Sequence, residues 1–309
     1  MIIDAHSHLW LRQDTSWDGK TIRTLKNGRS IFLGEEVQMI PPFIIDGQNS
    51  AEVFLSNMDY AQVGAAVVVQ EFIDGLQNDY LAEVSARYPE RFFVFGMADY
   101  LKDGFYEQAK TLLAERKFRG LAIPGHRLLN RHLTDKPMIM LFRLMESEGA
   151  MLSITLADGD EQVGELREVI AECPKLKIAI GHLCMANPPL TPPWENETWR
   201  AQVRLAQNKN VMIESGGITW LYNSEFYPFP SAIRAIREAA ELVGMEKLMW
   251  GSDYPRTITA ITYRMSYDFI VKSKELTEQE KQLFLGENAH RFYGFGTLPE
   301  LPYIKNMSE

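Results

Sequence analysis

The chain has 309 residues, of which 46% are apolar, 24% charged and 11% aromatic, and these proportions exclude a disordered or fibrous protein. Its net charge of -9 at pH 7 argues against nucleic-acid binding, which needs clustered lysine and arginine. No apolar run reaches the roughly 18 residues that a membrane helix needs. We therefore expect a cytoplasmic protein that acts on small molecules, with Cys173 and Cys184 outside any zinc-binding spacing.

Eight short apolar segments recur along the chain and predict β-strands. Most are continuous apolar runs, which is typical of parallel strands covered on both faces. In chain order they are MIIDAHSHLW, GAAVVVQEF, RFFVFGMADY, FRGLAIPG, GAMLSITLADG, LKIAIGHLC, NVMIESGG and KLMWGSDYP. Segments with apolar residues three and four apart lie between them and predict helices. This alternation favours a single-domain α/β fold over residues 1–309, a (β/α)8 TIM-like barrel, with an open doubly wound sheet as the alternative.

Two stretches interrupt the alternation of strands and helices. Residues 9–48 follow the first strand, and residues 185–199, within MANPPLTPPWENETW, follow the sixth. We expect both to be irregular loop insertions. Because the loops after the strands form the active face of a barrel, these insertions are predicted to form walls or lids over a substrate pocket.

Two histidines near the start of the chain are the first candidates for chemistry. Side chains two apart in a strand share a face, so Asp4, His6 and His8 are predicted to point into the barrel, with Ile3 and Ala5 on the opposite face. The histidines also end the strand. They would therefore lie at the carboxyl edge, where barrel enzymes keep their catalytic residues.

Two later segments bring further polar residues to the same edge. The sixth segment ends with His182, and the eighth ends with Asp253. A carboxylate is costly to bury without a partner, so Asp253 is expected to meet a cation, a metal ion or a bound water. The first and eighth strands are neighbours in a closed barrel. His6, His8, His182 and Asp253 are therefore predicted to converge on one site at its mouth.

These motifs resemble the amidohydrolase-related family. The likeness is carried by the D-x-H-x-H start, the G-H-L after the sixth strand, the G-S-D-Y-P after the eighth and the closing ENAHRFYGF, and it spans nearly the whole chain. The family consists of distorted (β/α) barrels. It includes decarboxylases of the aminocarboxymuconate-semialdehyde and γ-resorcylate types, and lactonases that act on pyrone dicarboxylate and on sugar lactones.

The fifth predicted strand separates these two branches. The decarboxylases carry a metal-binding histidine at its end, but here it reads LSITLADG. The segment from this strand through LREVIAECPKLKIAIGHL is more similar to the lactonase branch, in which some members work without a metal. The resemblance therefore leaves two states open. Either His6, His8 and Asp253, with His182 as a further candidate, hold one divalent ion such as zinc or manganese, or the site is metal-free.

Hydrolysis of a lactone is the activity that the resemblance implies. Asp253 would take a proton from water, which attacks an ester carbonyl polarised by His6, His8 and His182 or by a metal that they hold. Without a metal, at least one histidine must donate a hydrogen bond, because the developing oxyanion needs a positive partner.

Substrate contacts are expected from the loops after the strands. The candidates are Arg127, Arg256, His126, Trp220 and Tyr222, with Arg12 as a weaker one. Arginine suits a carboxylate because its guanidinium fork can donate two parallel hydrogen bonds. The two aromatic residues are expected to close over a ring.

Other polar residues are assigned to structural roles. Asp4 is expected to orient the first strand through hydrogen bonds, and His290 is expected to pack near the C-terminus. His132 is expected to be a loop residue. Glu71 and Glu214 end the second and seventh strands, so they are reserve metal ligands whose competing role is a salt bridge.

We therefore predict a lactonase that opens a carboxylated or polyhydroxylated lactone by attack of an activated water. The alternative enzyme is a metal-dependent non-oxidative decarboxylase of a carboxylated ring or a muconate-like substrate. The non-enzymatic alternative is a metabolite-binding barrel without turnover. The expected partner is an anionic or polyhydroxylated small molecule, with no nucleic acid and no membrane, and a homo-oligomeric state stays open.

Overall fold

Eight parallel strands form the centre of the molecule, one in each predicted segment. The computed structural model describes residues 1–116, 118–157, 159–185 and 192–307. The barrel strands, numbered one to eight, are Ile3–Ser7, Ala65–Val68, Phe92–Val94, Gly120–Pro124, Met151–Thr155, Lys177–Ile180, Val211–Glu214 and Leu248–Met249. Each segment was recognisable because a strand covered on both faces is apolar along its whole length.

Backbone hydrogen bonds arrange these strands in a ring. Strands one to three form one parallel sheet, and strands four to eight form another. The amide of Ala122 donates to the carbonyl of Gly96 over 2.8 Å, which joins strand four to the end of strand three. The amide of Ala5 donates to the carbonyl of Trp250 over 2.8 Å, which joins strand one to strand eight. The barrel prediction is confirmed over the open-sheet alternative.

Helices connect the strands. The α-helices are Ala51–Tyr60, Asn78–Arg87, Phe105–Ala114, Lys136–Ser147, Glu161–Glu172, Glu197–Arg204, Ile218–Leu221, Pro230–Val243, Met265–Lys272, Glu278–Gln282 and Asn288–Tyr293, with a distorted turn at His182–Met185. Shorter helical turns are Phe72–Asp74, Gly125–Arg127, Pro193–Glu195, Leu205–Gln207, Met245–Lys247, Thr257–Thr259 and Leu283–Glu287. Within the described residues, none of these helices is both long enough and apolar enough to cross a lipid bilayer.

Alternate residues of the strands form two hydrophobic clusters. The cluster inside the barrel takes one or more residues from each strand and is closed by the helix Asn288–Tyr293; it includes Ile3, Ala65, Phe93, Ala122, Met151, Ala179, Met212, Met249 and Tyr293. The second cluster joins the outward residues of the strands to the surrounding helices. The interior is therefore a packed core, as in other barrels of this architecture.

Strand one departs from simple alternation. Its pairing with strand two shifts between Asp4 and Ser7, which is a β-bulge that adds one residue and re-aims the side chains after it. Ile3 and Ala5 lie in the interior cluster. The prediction that Asp4 shares the inward face of the two histidines, with Ile3 and Ala5 opposite, is therefore wrong, because the bulge breaks the period of two.

The first predicted insertion is an ordered sheet and not an irregular loop. Its antiparallel strands, called here the insertion sheet, are Asp14–Trp17, Lys20–Thr24, Arg29–Phe32 and Glu35–Gln38. Two-residue turns at Asp18-Gly19 and Leu33-Gly34 connect the outer pairs of strands, and all four residues have positive φ. Asp-Gly is a preferred pair for such turns, so residues 9–48 did contain a signal for a hairpin that the prediction of an irregular loop missed.

The second insertion is described only in part. Residues 186–191 lie outside the described residues, so the prediction of a loop over 185–199 stays untested there. After them, the turn Pro193–Glu195 leads to the helix Glu197–Arg204. The side chain of Asn196 caps that helix by accepting hydrogen bonds from the amides of Thr198 and Trp199.

Candidate active site

Buried carboxylates orient the two histidines of strand one. His6 Nδ1 lies 2.7 Å from Glu214 Oε1, and His8 Nδ1 lies 2.8 Å from Asp74 Oδ2. Because an ionised carboxylate can only accept a hydrogen bond, each Nδ1 carries a proton and donates it. Each Nε2 therefore faces the site, and the two Nε2 atoms are 3.1 Å apart.

Asp253 lies against both of these imidazoles. Its Oδ1 is 3.2 Å from His8 Nε2 and 3.7 Å from His6 Nε2. Its Oδ2 accepts a 2.5 Å hydrogen bond from Trp220 Nε1. The carboxylate is buried, so its negative charge is balanced by protein groups and not by bulk water. The neighbouring strands one and eight therefore bring His6 and His8 into contact with Asp253, as their order in the barrel predicts.

His182 completes the group from strand six. Its Nδ1 donates a 2.7 Å hydrogen bond to the carbonyl of Gly216, which leaves Nε2 as the free nitrogen of the neutral ring. The ring centroids of His182 and His6 are 4.6 Å apart. One ligand atom from each of His6, His182 and Asp253 lies within 4.8 Å of the others. We call His6, His8, His182 and Asp253 the histidine–aspartate cluster.

The backbone around this cluster is strained and closely packed. His182 has a φ of 56° and Asp253 a φ of 57°, a left-handed conformation that costs roughly 1–3 kcal/mol for a residue other than glycine. A Cβ atom at Gly251 would lie 2.7 Å from the Cβ of His6. Only glycine at position 251 therefore leaves room for His6. The surrounding structure holds His182 and Asp253 in their left-handed conformation.

Burial and neighbouring charges shift the pKa in opposite directions at Asp253 and His8, but burial and the charge of His6 shift it in the same direction at His182. Burial by itself would raise the pKa of Asp253, but the hydrogen bond from His8 and the nearby His182 and His6 outweigh it and hold that pKa well below its usual range. Burial and the neighbouring His6 lower the pKa of His182. Burial also opposes protonation of His8, yet the charge of Asp74 dominates and raises its pKa well above 6.5. Asp253 is therefore ionised and His182 neutral near pH 7.

The donor set fits a divalent metal ion. The Nδ1 protons of His6 and His8 are held by carboxylates, so a bound ion would meet their Nε2 atoms, which lie 3.1 Å apart; without the ion, His8 Nε2 carries the proton that it donates to Asp253. Metal-binding histidines in proteins commonly donate their other nitrogen to a carboxylate in this way. His6, His182 and Asp253 form a group of two nitrogens and one oxygen within 4.8 Å of one another, of the kind that zinc or manganese accepts, and His8 Nε2 adjoins it at 3.1 Å from His6 Nε2.

A cavity of about 460 Å³ opens above the cluster. Its lining consists of His8, Trp10, Phe32, Val37, Gln38, Met39, Glu71, Ile73, Asp74, His126, Arg127, Thr155, His182, Trp220, Asp253, Pro255, Arg256 and Thr259. Of the predicted substrate contacts, Tyr222 does not line it. Tyr222 is 1% exposed and packs in the outer hydrophobic cluster, because the short helix Ile218–Leu221 turns it away from the mouth.

The two predicted arginines have different partners. Arg127 Nε is 2.6 Å from Glu71 Oε2, and its guanidinium lies 5.2 Å from the centre of the Trp17 ring. Arg256 stacks 3.9 Å from the centre of the Trp220 ring and forms no ion pair with a carboxylate of the described residues. Arg256 is therefore the cation at the mouth whose charge is available to a ligand.

Two carboxylates have roles that sequence reasoning missed. The sequence pattern does not point to Asp74, whose carboxylate accepts the Nδ1 proton of His8, because the two residues are 66 positions apart in the chain. Glu214 was assigned as a reserve ligand, but it accepts the Nδ1 proton of His6 across 208 residues. The aspartate in the segment EFIDG was the only visible signal, and nothing local linked it to His8.

The remaining polar candidates have structural partners. Asp4 accepts hydrogen bonds from the amide of Ser252 over 2.8 Å and from the hydroxyl of Tyr263 over 2.8 Å, in keeping with its predicted structural role. His132 pairs with Glu165 at 2.6 Å. Glu71, the other reserve metal ligand, forms an ion pair with Arg127.

Two further candidates lie away from the cluster. His290 Nε2 donates a 3.0 Å hydrogen bond to the carbonyl of Gly296, in keeping with its predicted packing role. Arg12 is exposed and does not line the cavity, so the weak expectation that it contacts substrate finds no support.

The chain matches the family model described as amidohydrolase over residues 3–295. It therefore belongs to the amidohydrolase family. This membership agrees with the resemblance carried by the motifs at His6, His182 and Asp253. It also agrees with the barrel and with the position of these residues at the carboxyl ends of the strands.

Individual relatives include both lactone hydrolases and decarboxylases. The chain is 27% identical over 263 residues to an L-fucono-1,5-lactonase of Burkholderia ambifaria, covering 82% of this chain and 80% of that protein. It superimposes with a TM-score of 0.70 and 19% identity on a probable 2-pyrone-4,6-dicarboxylic acid hydrolase of Acinetobacter baumannii with citric acid bound, covering 95% and 99% of the two chains. A zinc-containing amidohydrolase of Burkholderia multivorans also matches, with a TM-score of 0.70, 18% identity and 96% and 100% coverage.

Proposed function

We propose that this protein is a lactonase that hydrolyses the ring ester of a carboxylated lactone. One observation carries the proposal: an ionised, buried Asp253 faces His6, His8 and His182 at the floor of a cavity whose mouth holds the cation Arg256. A base, a set of imidazoles and a carboxylate anchor are the groups that water attack on an anionic ester requires. The similarity to lactone hydrolases supports the same reaction.

The reaction needs two proton transfers, one from water to Asp253 and one from Asp253 to the leaving oxygen. Asp253 takes a proton from a water molecule, whose oxygen attacks the carbonyl carbon of the lactone and forms a tetrahedral intermediate. The ring C–O bond then breaks, and the proton on Asp253 passes to the departing alkoxide. The product is an open-chain hydroxy acid. Trp220 fixes the orientation of Asp253 by donating to its Oδ2.

His6, His8, His182 and Asp253 are the residues that would hold a divalent ion in this site. When bound, zinc or manganese would polarise the ester carbonyl as a Lewis acid. The protein's own part is to hold the Nδ1 protons of His6 and His8 on carboxylates, so that both Nε2 atoms stay directed at the site. Metal analysis of protein purified without added zinc or manganese measures whether the ion is resident.

Decarboxylation by the same site is the alternative reaction. The decarboxylase branch is expected to carry a histidine at the end of strand five, but this strand ends at Thr155, whose side chain lines the cavity. The imidazole that the alternative reaction would use is therefore replaced by a hydroxyl group. This residue favours hydrolysis over decarboxylation.

A product assay tests the proposal against both alternatives. The purified protein is incubated with a set of carboxylated six-membered lactones, while acid release is followed by pH-stat and carbon dioxide is trapped and counted. We expect one new carboxylate per turnover and no carbon dioxide. Release of carbon dioxide would identify a decarboxylase, and calorimetric binding without turnover would identify a non-catalytic barrel. Either result would overturn the proposal.

A further inference from the structure

The cavity has two chemically different sides. The barrel supplies the polar side, with His8, His182 and Asp253 at the floor and Arg256 at the mouth. The insertion sheet and the residue after it supply the other side, with the side chains of Phe32, Val37 and Met39; Gln38 also lines the cavity, but its amide nitrogen donates to the carbonyls of Asn27 and Ile40. We call Phe32, Val37 and Met39 the apolar wall. A ligand that fills the cavity must therefore present a polar face and an apolar face.

The geometry of the insertion sheet places two of these side chains on one face. Val37 pairs with Ser30 and Phe32 pairs with Glu35 across the antiparallel ladder. Residues opposite each other, and residues two apart in one strand, lie on the same side of a sheet. Phe32 and Val37 therefore point the same way, toward the cavity that both of them line.

These two side chains are not needed to pack the protein. Phe32 and Val37 are only partly buried, and neither belongs to a hydrophobic cluster formed by the described residues. Met39 packs at the edge of a small cluster of Trp10 and two isoleucines. Apolar surface that lines a cavity without covering a core is typical of a ligand-binding wall.

The charges of the cavity limit the number of anionic groups that it can hold. Arg127 is already paired with Glu71 at 2.6 Å, so a second substrate carboxylate placed there would have to compete with a buried glutamate. Arg256 forms no ion pair with a carboxylate in the described part of the chain. Among the described residues of the lining, His126 and Arg127 both lie against Glu71, whereas Arg256 is not paired with a carboxylate.

From these observations we infer that the substrate is a lactone with one carboxylate, held by Arg256, and one apolar substituent, held by the apolar wall. This inference rests on the proposed lactonase function and narrows its substrate class. It predicts that a dicarboxylated lactone and a polyhydroxylated sugar lactone are both poorer substrates. The dicarboxylate would place a second anion near Glu71, and the sugar would place hydroxyl groups against Phe32 and Val37 without hydrogen-bond partners.

Four six-membered lactones test the inference. They carry a carboxylate with an alkyl chain, a carboxylate alone, two carboxylates, or hydroxyl groups only, and kcat/KM is measured for each. We expect the carboxylated alkyl lactone to be the best substrate by about tenfold or more, which is the discrimination that an apolar pocket commonly provides. A preference for the dicarboxylated or the polyhydroxylated lactone would overturn the inference and leave the lactonase function standing. No hydrolysis of any of the four would overturn the lactonase function itself.

A pair of matched variants locates the selectivity in the wall. Val37→Asn should lower kcat/KM about tenfold more for the carboxylated alkyl lactone than for the lactone with a carboxylate alone. Ile31→Asn is the control, because Ile31 is similarly half-buried in the same sheet but points to its other face. Val37→Ile keeps an apolar surface and should retain the preference. If Val37→Asn lowers kcat/KM equally for both lactones, with an unchanged unfolding temperature, the wall does not contact the alkyl substituent.

Discussion

The histidine–aspartate cluster and the apolar wall line the same cavity but are built in opposite ways. In the cluster, His6, His8 and Asp253 are buried and His182 is half-buried, the backbone is left-handed at His182 and Asp253, and a hydrogen bond orients each of the four side chains. The wall is only partly buried and stands on an antiparallel hairpin whose own turn, Leu33-Gly34, also holds a left-handed residue, so the two regions differ in burial and polarity and not in backbone strain. Under the proposed function, the cluster carries out the reaction and the wall selects the substrate. Substitutions in the cluster should therefore lower kcat for all substrates, whereas those in the wall should change the ratio between substrates.

The largest expected effect is at the proposed base. Asp253→Asn keeps the hydrogen bond to Trp220 but removes the group that accepts the proton of water. We expect kcat to fall about a thousandfold for every lactone tested, with the unfolding temperature changed by only a few degrees. Initial-rate kinetics and thermal unfolding measure the two quantities. A near-normal rate would remove Asp253 as the base.

The second-largest effect is expected at Asp74, which orients His8. Asp74→Asn leaves a side chain of the same shape but removes the charge that holds the Nδ1 proton of His8. We expect kcat to fall roughly 10–100-fold, as for other groups that orient an active-site histidine, while KM stays nearly constant. Asp79→Asn is the control, since Asp79 is 84% exposed at its side chain and pairs with Arg116. Equal effects of the two variants would refute the positioning role.

A smaller effect is expected at the contact between the two regions. Trp17 of the insertion sheet donates a 2.9 Å hydrogen bond from Nε1 to the carbonyl of Arg127. Trp17→Phe keeps a ring beside Arg127 but loses that bond, which is worth about 1 kcal/mol, so KM should rise by about fivefold or less with kcat unchanged. Trp194→Phe serves as the control, because its indole N–H has no acceptor among the residues described here. A fall in kcat would show that the sheet also positions the cluster.

The smallest effect is expected at His132, which lies outside both the histidine–aspartate cluster and the apolar wall. The hydrogen bond with Glu165 raises the pKa of His132 above 6.5. Its folded-state pKa is thus higher than its unfolded value, so the pair stabilises the fold fully at low pH, and this contribution is lost as pH rises through the raised pKa. His132→Gln should therefore lower the unfolding temperature at about pH 6 but not at about pH 9, with unchanged lactone hydrolysis at either pH. Any change in kcat would link this surface pair to the cavity.

Parts of the site could be predicted from the sequence for a simple reason. His6, His8, His182 and Asp253 each end an apolar segment, and the carboxyl ends of parallel strands meet at one edge of a barrel. The orientation of Asp4 could not be predicted in the same way. A β-bulge leaves no mark in the pattern of apolar residues, and it reversed the face assigned to that carboxylate.

Tyr222 and the insertion sheet show two further limits. Tyr222 follows strand seven as a cavity residue would, but a one-turn helix buries it instead. The prediction of an irregular loop over residues 9–48 is wrong, although the sequence there contains Asp18-Gly19 and Asn27-Gly28, pairs that favour hairpin turns. Attention to turn residues would have found the hairpins. The direction in which Phe32 and Val37 point would still have required the structure.

The sequence by itself determined the eight strands, their order and the carboxyl edge at which the histidines and Asp253 meet, because these properties follow from local apolar patterns and from the rules of parallel sheets. Only the tertiary structure decided that Asp74 orients His8, that Glu214 orients His6 and that Arg256 keeps its charge available while Arg127 does not. Each of these outcomes depends on pairs of side chains far apart in the chain. Local physical chemistry cannot specify such pairs until the barrel has closed.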